Sequence, residues 1–177
     1  MTSLLFVCTG NATRSVIAGE PARAARPEWS VATAGTFVVE GLPISWRTRS
    51  ALTELGLRAP GHRSTQLTDA HVAAADLVVV QEYQHVRYIR RHHRHGAART
   101  ATLKRLARDL PAPGPADEPL ARRLAGLDLG SVELEPDWED VVDPGGGEVA
   151  EFVACAHELA ALMHDLLPRL GTRVASP

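Results

Sequence analysis

Two segments, Ser3–Val7 and Asp76–Val80, each carry four consecutive apolar residues: Leu4-Leu5-Phe6-Val7 and Leu77-Val78-Val79-Val80. A strand turns successive side chains to opposite faces, so a strand apolar at both parities must be buried on both. A sheet built from such strands needs helices on each side. The intervening sequence supplies them. Helical stretches fall at Ser15–Ala25, Ser45–Leu55, Tyr83–His95 and Glu148–Leu170, with a shorter one starting at Thr68-Asp69. Trp29–Ala34 alternates Trp, Val and Ala with polar residues as a strand does, and Arg99–Leu103 makes a further short strand. Pro21 is expected to kink or end the first helix, and Gly56 sits where a C-cap glycine belongs. Strands alternating with helices predict an α/β fold with a parallel sheet and helices on both faces.

At 177 residues the chain fits one domain over 1–177. Within it, a Pro- and acid-rich loop at about 109–140 surrounds one short helix, Leu120–Leu124. The last helix is periodic, with Val149, Phe152, Val153, Ala156, Leu159, Ala160, Met163 and Leu167 facing inward. A net charge of −2 gives no overall attraction to nucleic acid or to an anionic membrane. No apolar run approaches the length of a membrane span. Cys8 and Cys155 make neither a disulfide framework nor a zinc spacing. The expectation is a cytoplasmic protein with no metal and no cofactor. Its Arg and Ala bias suggests a GC-rich bacterial genome, and its oligomeric state is not legible.

The chemistry lies in Val7-Cys8-Thr9-Gly10-Asn11-Ala12-Thr13-Arg14-Ser15, between a strand and a helix. A buried Cys at a strand end is usually an inert small hydrophobe, and in a chain this rich in arginine a bare Cys-x5-Arg carries little weight. The whole string in its strand–loop–helix setting carries more. Its backbone N–H groups can curl around an oxyanion at a helix N-terminus. A planar guanidinium can clamp two of the oxyanion's oxygens. The same field favours a nucleophilic thiolate at Cys8. Gly10 and Asn11 tolerate positive φ, and Ser15 can donate a hydrogen bond to the sulfur.

This string resembles the phosphate loop V-C-x-G-N-x-C-R-S of the low-molecular-weight protein tyrosine phosphatases, and the resemblance covers nearly the whole chain. Thr33-Ala34-Gly35-Thr36 is similar to the family's S-A-G-T. Gly41, Pro43 and Arg47 match its G-x-P-x-x-x-R, and Gly56-Leu57 its G-I. Gly61-His62 with Gln66-Leu67 matches its S-G-H-x-x-R-Q-L, and Asp143-Pro144-Gly145 its late Asp-Pro loop. The resemblance implies a four-stranded parallel sheet flanked by helices. It implies Cys8, Arg14 and Asp143 as nucleophile, clamp and general acid. It places Thr9, Gly10, Asn11, Ala12, Thr13, Arg14 and Ser15 around the phosphate, supported by Asn11, Ser15, Thr33 and His62. It implies metal-independent phosphomonoester hydrolysis through a cysteinyl-phosphate, on phosphotyrosine proteins or small phosphomonoesters.

The departures from the family pattern concern specificity. Thr13 stands where the family has a second cysteine, Val16 where it has proline, and Thr65 where it has arginine. Val38 or Val39 stands where an aromatic ring often walls the pocket, and Gly145, Gly146 and Gly147 follow Pro144 without a tyrosine. Trp46 and Trp138 are the alternative sources of a ring. Ala12 decides nothing between phosphotyrosine and phosphoarginine. Arsenate reduction with an external thiol, and a non-catalytic oxyanion-binding module, are the remaining alternatives. For Asp143 the competing role is a cap on the last helix. The run Arg87–His95 is expected to be a solvated helix end, and Cys155 to be packed and inert on a distant helix.

Overall fold

A computed structural model describes residues 1–114 and 118–171. Residues 115–117, inside the expected Pro- and acid-rich loop, and 172–177, at the end of the expected domain, lie outside the described residues. The four strands are β1 (Ser3–Cys8), β2 (Ser30–Gly35), β3 (Leu77–Val80) and β4 (Thr100–Thr102). They pair in the order β2-β1-β3-β4, all parallel. The helices are α1 (Arg14–Ala25), α2 (Trp46–Glu54), α3 (Asp69–Ala74), α4 (Tyr83–His92), α5 (Leu103–Asp109), α6 (Leu120–Ala125), α7 (Pro136–Glu139) and α8 (Val149–Leu170).

The doubly apolar strands behave as their composition requires. Leu4 and Phe6 of β1 join one buried layer with Val16 and Ile17 of α1, Leu52 of α2, Leu106 of α5 and Leu159 of α8. Leu5 and Val7 join the other, with Val72 of α3 and Val86 and Ile89 of α4. The chain leaving β1 therefore enters a helix on one face, and the chain leaving the adjacent β3 enters a helix on the other. That divergence opens a crevice at the carboxyl ends of β1 and β3, where ligands bind in open α/β sheets.

Several boundaries differ from expectation for identifiable reasons. Helix α1 ends at Ala25 as expected, with Pro21 inside it and not at its end. Helix α4 stops at His92, and a 3₁₀ turn follows over Arg94–Arg99. His93 is not solvated: it is buried, with Nδ1 2.6 Å from Asp69 Oδ1. The acid-rich stretch also contains the unforeseen α7. Pro136 occupies its first turn, where a missing N–H costs nothing. The fully buried Glu139 pairs with Arg105 and accepts from Thr102 Oγ1 at 2.9 Å. On α8, Cys155, Leu166 and Leu170 are buried, whereas Val149 and Ala160 are half-buried, so the inward stripe is rotated from the expected one.

Gly35, paired with Cys8 across β1 and β2, is where the backbone comes closest. A Cβ there would stand 2.5 Å from the Thr9 carbonyl oxygen, 2.9 Å from the Asn11 nitrogen and 2.4 Å from a Val38 methyl. Two of these atoms are backbone and cannot swing aside. Gly35→Ala is expected to cost about 1–3 kcal/mol in thermal or denaturant unfolding, the usual range for overpacking. An unfolding midpoint equal to wild type would contradict this packing.

Candidate active site

The loop from Thr9 to Thr13 leaves β1 at Cys8 and enters α1 at Arg14, at the crevice between β1 and β3. Asn11 adopts φ 49°, the left-handed region that Asn tolerates better than most residues. Its backbone oxygen accepts from His62 Nε2 at 2.8 Å and Ser64 Oγ at 3.0 Å, and its Oδ1 accepts from the Thr65 N–H at 2.9 Å. Asn11 Nδ2 donates to Ser15 Oγ at 3.0 Å. This leaves the Ser15 proton for Cys8 Sγ, 3.1 Å away. The thiol is 3% exposed.

The backbone N–H groups from Gly10 to Ser15 donate to no acceptor among the described residues. Unpaired N–H groups gathered at a helix N-terminus form an anion cradle. The Arg14 side chain, 2% exposed, lies beside it. Its Nη1 donates to Glu82 and to the Val141 carbonyl (2.9 Å), and its Nη2 to Asp143 Oδ2 (2.8 Å). Burial disfavours the guanidinium charge, but the Glu82 hydrogen bond and the charges of Asp143 and Glu82 outweigh it and raise its pKa. Asp143 is about half exposed, and its Oδ1 accepts from the Gly145 N–H at 3.0 Å. It does not cap the last helix: Glu148 does, in a capping box with Glu151.

Cys8, Arg14, Asp143, Asn11, Ser15 and His62 thus come together with the loop residues. Thr33 does not. It sits on β2 opposite Phe6 with its methyl against Gly19 of α1, and its side chain makes no hydrogen bond among the described residues. Cys155 is closer than expected: it lines a cavity with Val142, Asp143 and Pro144, and burial pushes its thiol up to about 12. Phe37, next to Val38, is 82% exposed, and its N–H donates to the Thr9 carbonyl at 3.0 Å. Trp46 is also exposed, in the first turn of α2, whereas Trp138 lies under the Arg108 guanidinium at 3.6 Å.

Three contributors escaped the sequence reading. Glu82 holds Arg14. His85 reaches Thr9 Oγ1 at 3.0 Å. Thr48 donates to the Ala12 carbonyl at 3.1 Å and lies 3.1 Å from Thr13 Oγ1. For Glu82 and His85 one signal existed, their place just beyond the carboxyl end of the strand beside β1. Among the described residues, no cluster of three or more His, Cys, Asp or Glu side chains could hold a metal ion, and no helix is long and apolar enough to cross a membrane.

Residues 3–117 match the family model of low molecular weight phosphotyrosine protein phosphatases. A protein-arginine-phosphatase of Geobacillus stearothermophilus is 29% identical over 170 residues, 96% of either chain. A probable low molecular weight protein-tyrosine-phosphatase, EpsP, of Ralstonia nicotianae is 32% identical over 104 residues, 59% of this chain and 70% of that protein. The crystal structure of a low molecular weight protein tyrosine phosphatase from T. tengcongensis superposes with a TM-score of 0.74 at 26% identity, covering 94% of this chain and 98% of that one.

Proposed function

Since the chain belongs to the low molecular weight phosphotyrosine protein phosphatase family, we propose that it hydrolyses phosphorylated protein side chains through a phosphoryl group carried on Cys8. The observation that carries this reading is the unpaired N–H row from Gly10 to Ser15 in a segment that also carries a buried thiol and a buried guanidinium. The cradle and Arg14 hold the phosphoryl oxygens and meet the charge that develops on them. The Cys8 thiolate, steadied by the Ser15 hydroxyl, attacks phosphorus as the bond to the leaving atom breaks. Arg14, now turned to the phosphoryl group, releases Asp143, which takes up a proton from solvent and passes it to the leaving atom. Asp143 then takes a proton from water, the water oxygen attacks phosphorus, and the sulfur–phosphorus bond breaks to restore the thiolate.

Phosphotyrosine is the leading substrate. Phe37 and Trp46 are both exposed, the first bonded through its backbone N–H to Thr9 and the second two residues before Thr48, which contacts Ala12, and a flat aryl leaving group buries well against rings. Phosphoarginine is the second reading. It is favoured by the full-length likeness to a protein-arginine-phosphatase and by two carboxylates at Arg14, Glu82 and Asp143, that a guanidinium leaving group could also use. The test compares kcat/KM on matched phosphotyrosyl and phosphoarginyl peptides, without added metal and with vanadate as inhibitor. The expected result is vanadate-sensitive hydrolysis with phosphotyrosine preferred at least about tenfold, equivalent to roughly 1.4 kcal/mol of transition-state binding. A preference for phosphoarginine reverses the substrate order. Hydrolysis of neither peptide refutes the reading.

A further inference from the structure

We propose that His85 is a positioning residue that fixes the Thr9 hydroxyl as a hydrogen-bond donor to the substrate's phosphoryl or leaving-group oxygen; this rests on the hydrolytic reading above. His85, on the first turns of α4, is 3% exposed. Its Nε2 lies 3.0 Å from Thr9 Oγ1, and its Nδ1 is buried with no hydrogen-bond partner. The charged groups that face it are Glu82 at the start of α4, Arg14 on α1 and Asp143 before α8. Burial, with Arg14 adding to it, lowers the ring's pKa to about 4 against the opposing pull of Glu82 and Asp143, so the ring is neutral near pH 7.

A neutral imidazole carries one N–H. On Nδ1 that N–H would be a buried donor with nothing to receive it, which is the costly arrangement. The proton therefore sits on Nε2 and is donated to Thr9 Oγ1. The hydroxyl oxygen then accepts from within the protein, and its own proton remains to be given outward. Thr9 is exposed and immediately follows the nucleophile. A threonine free to rotate would present a donor or an acceptor; one held by His85 presents the donor to an anionic phosphoryl group.

The test is a double-mutant cycle on kcat/KM for p-nitrophenyl phosphate and phenyl phosphate, with Thr9→Val, His85→Leu and the double variant. Thr9→Val is expected to lose about tenfold, the size of one hydrogen bond to a charged group. Thr9→Ser should stay within about threefold of wild type. His85→Leu should lose a similar factor, and the double variant no more than Thr9→Val alone, because His85 acts through Thr9. His85→Gln, which keeps an N–H donor, should restore part of the His85→Leu loss. A merely structural His85 predicts losses that multiply and no rescue by Gln. If His85→Leu does not fold, the comparison of Thr9→Val with Thr9→Ser, and of His85→Gln with wild type, still decides. A Thr9→Val enzyme within twofold of wild type overturns the proposal while leaving wild-type hydrolysis intact. Absence of hydrolysis in the wild type is instead a failure of the functional reading.

Discussion

Cys8→Ser is expected to abolish turnover of aryl phosphates, by on the order of 10⁴-fold or more, as removal of a nucleophile does elsewhere. Inorganic phosphate binding should survive within a few fold. The two outcomes separate because different atoms serve them. Binding relies on the N–H groups from Gly10 to Ser15 and on Arg14, none of which the substitution removes. Turnover relies on an ionised sulfur, and a serine hydroxyl is not ionised near neutral pH by a field of this kind. The Ser15 and Asn11 hydrogen bonds to the site are compatible with an oxygen in place of sulfur. Phosphate titration by calorimetry, beside an assay sensitive enough to exclude contaminating phosphatase, checks both halves. Retained hydrolysis in the variant would remove Cys8 from the mechanism.

Asp143→Asn carries the second large effect, and its signature is selective. A general acid contributes about 10²–10⁴-fold when the leaving group is poor and little when it leaves readily. The kcat/KM for phenyl phosphate should fall by that range, and for p-nitrophenyl phosphate far less, because kcat/KM reports the step that breaks the bond to the leaving atom. The stability change should be small. Asp143 is about half exposed, its partner Arg14 keeps Glu82 and the Val141 carbonyl as acceptors, and the last helix is capped by Glu148 instead. Equal losses across leaving groups of widely different pKa would contradict the assignment.

The doubly apolar strands and the string from Cys8 to Ser15 were legible in residue order, Asp143 and His62 only through the family resemblance, and Glu82, His85 and Thr48 were not. Leu4–Val7 and Leu77–Val80 announce strands buried on both faces, and Cys8 to Ser15 form a single string whose chemistry is complete in residue order. Glu82 reaches Arg14, and His85 and Thr48 reach the loop, from 68, 76 and 36 residues away along the chain, and for the first two only their place beyond the carboxyl end of β3 pointed there. Thr33 misled in the opposite sense: it fits a motif, but the alternation of β2 turns its side chain toward Gly19 of α1. Helix α7 inside the expected Pro- and acid-rich loop has the same kind of cause: a first-turn proline such as Pro136 is as good a helix start as a break.

The central claim is that phosphoryl is carried on Cys8, and Asp143→Asn offers the most direct way to catch it. With p-nitrophenyl phosphate the first step needs little acid, while the second still needs a base to activate water, so the phosphorylated protein should accumulate. Rapid acid quench followed by intact-protein and peptide mass spectrometry is expected to find one phosphoryl group, on the peptide containing Cys8, matched by a burst of about one equivalent of p-nitrophenolate per site. A burst-free time course, with no phosphoryl on the protein or with phosphoryl on a residue other than Cys8, would contradict it.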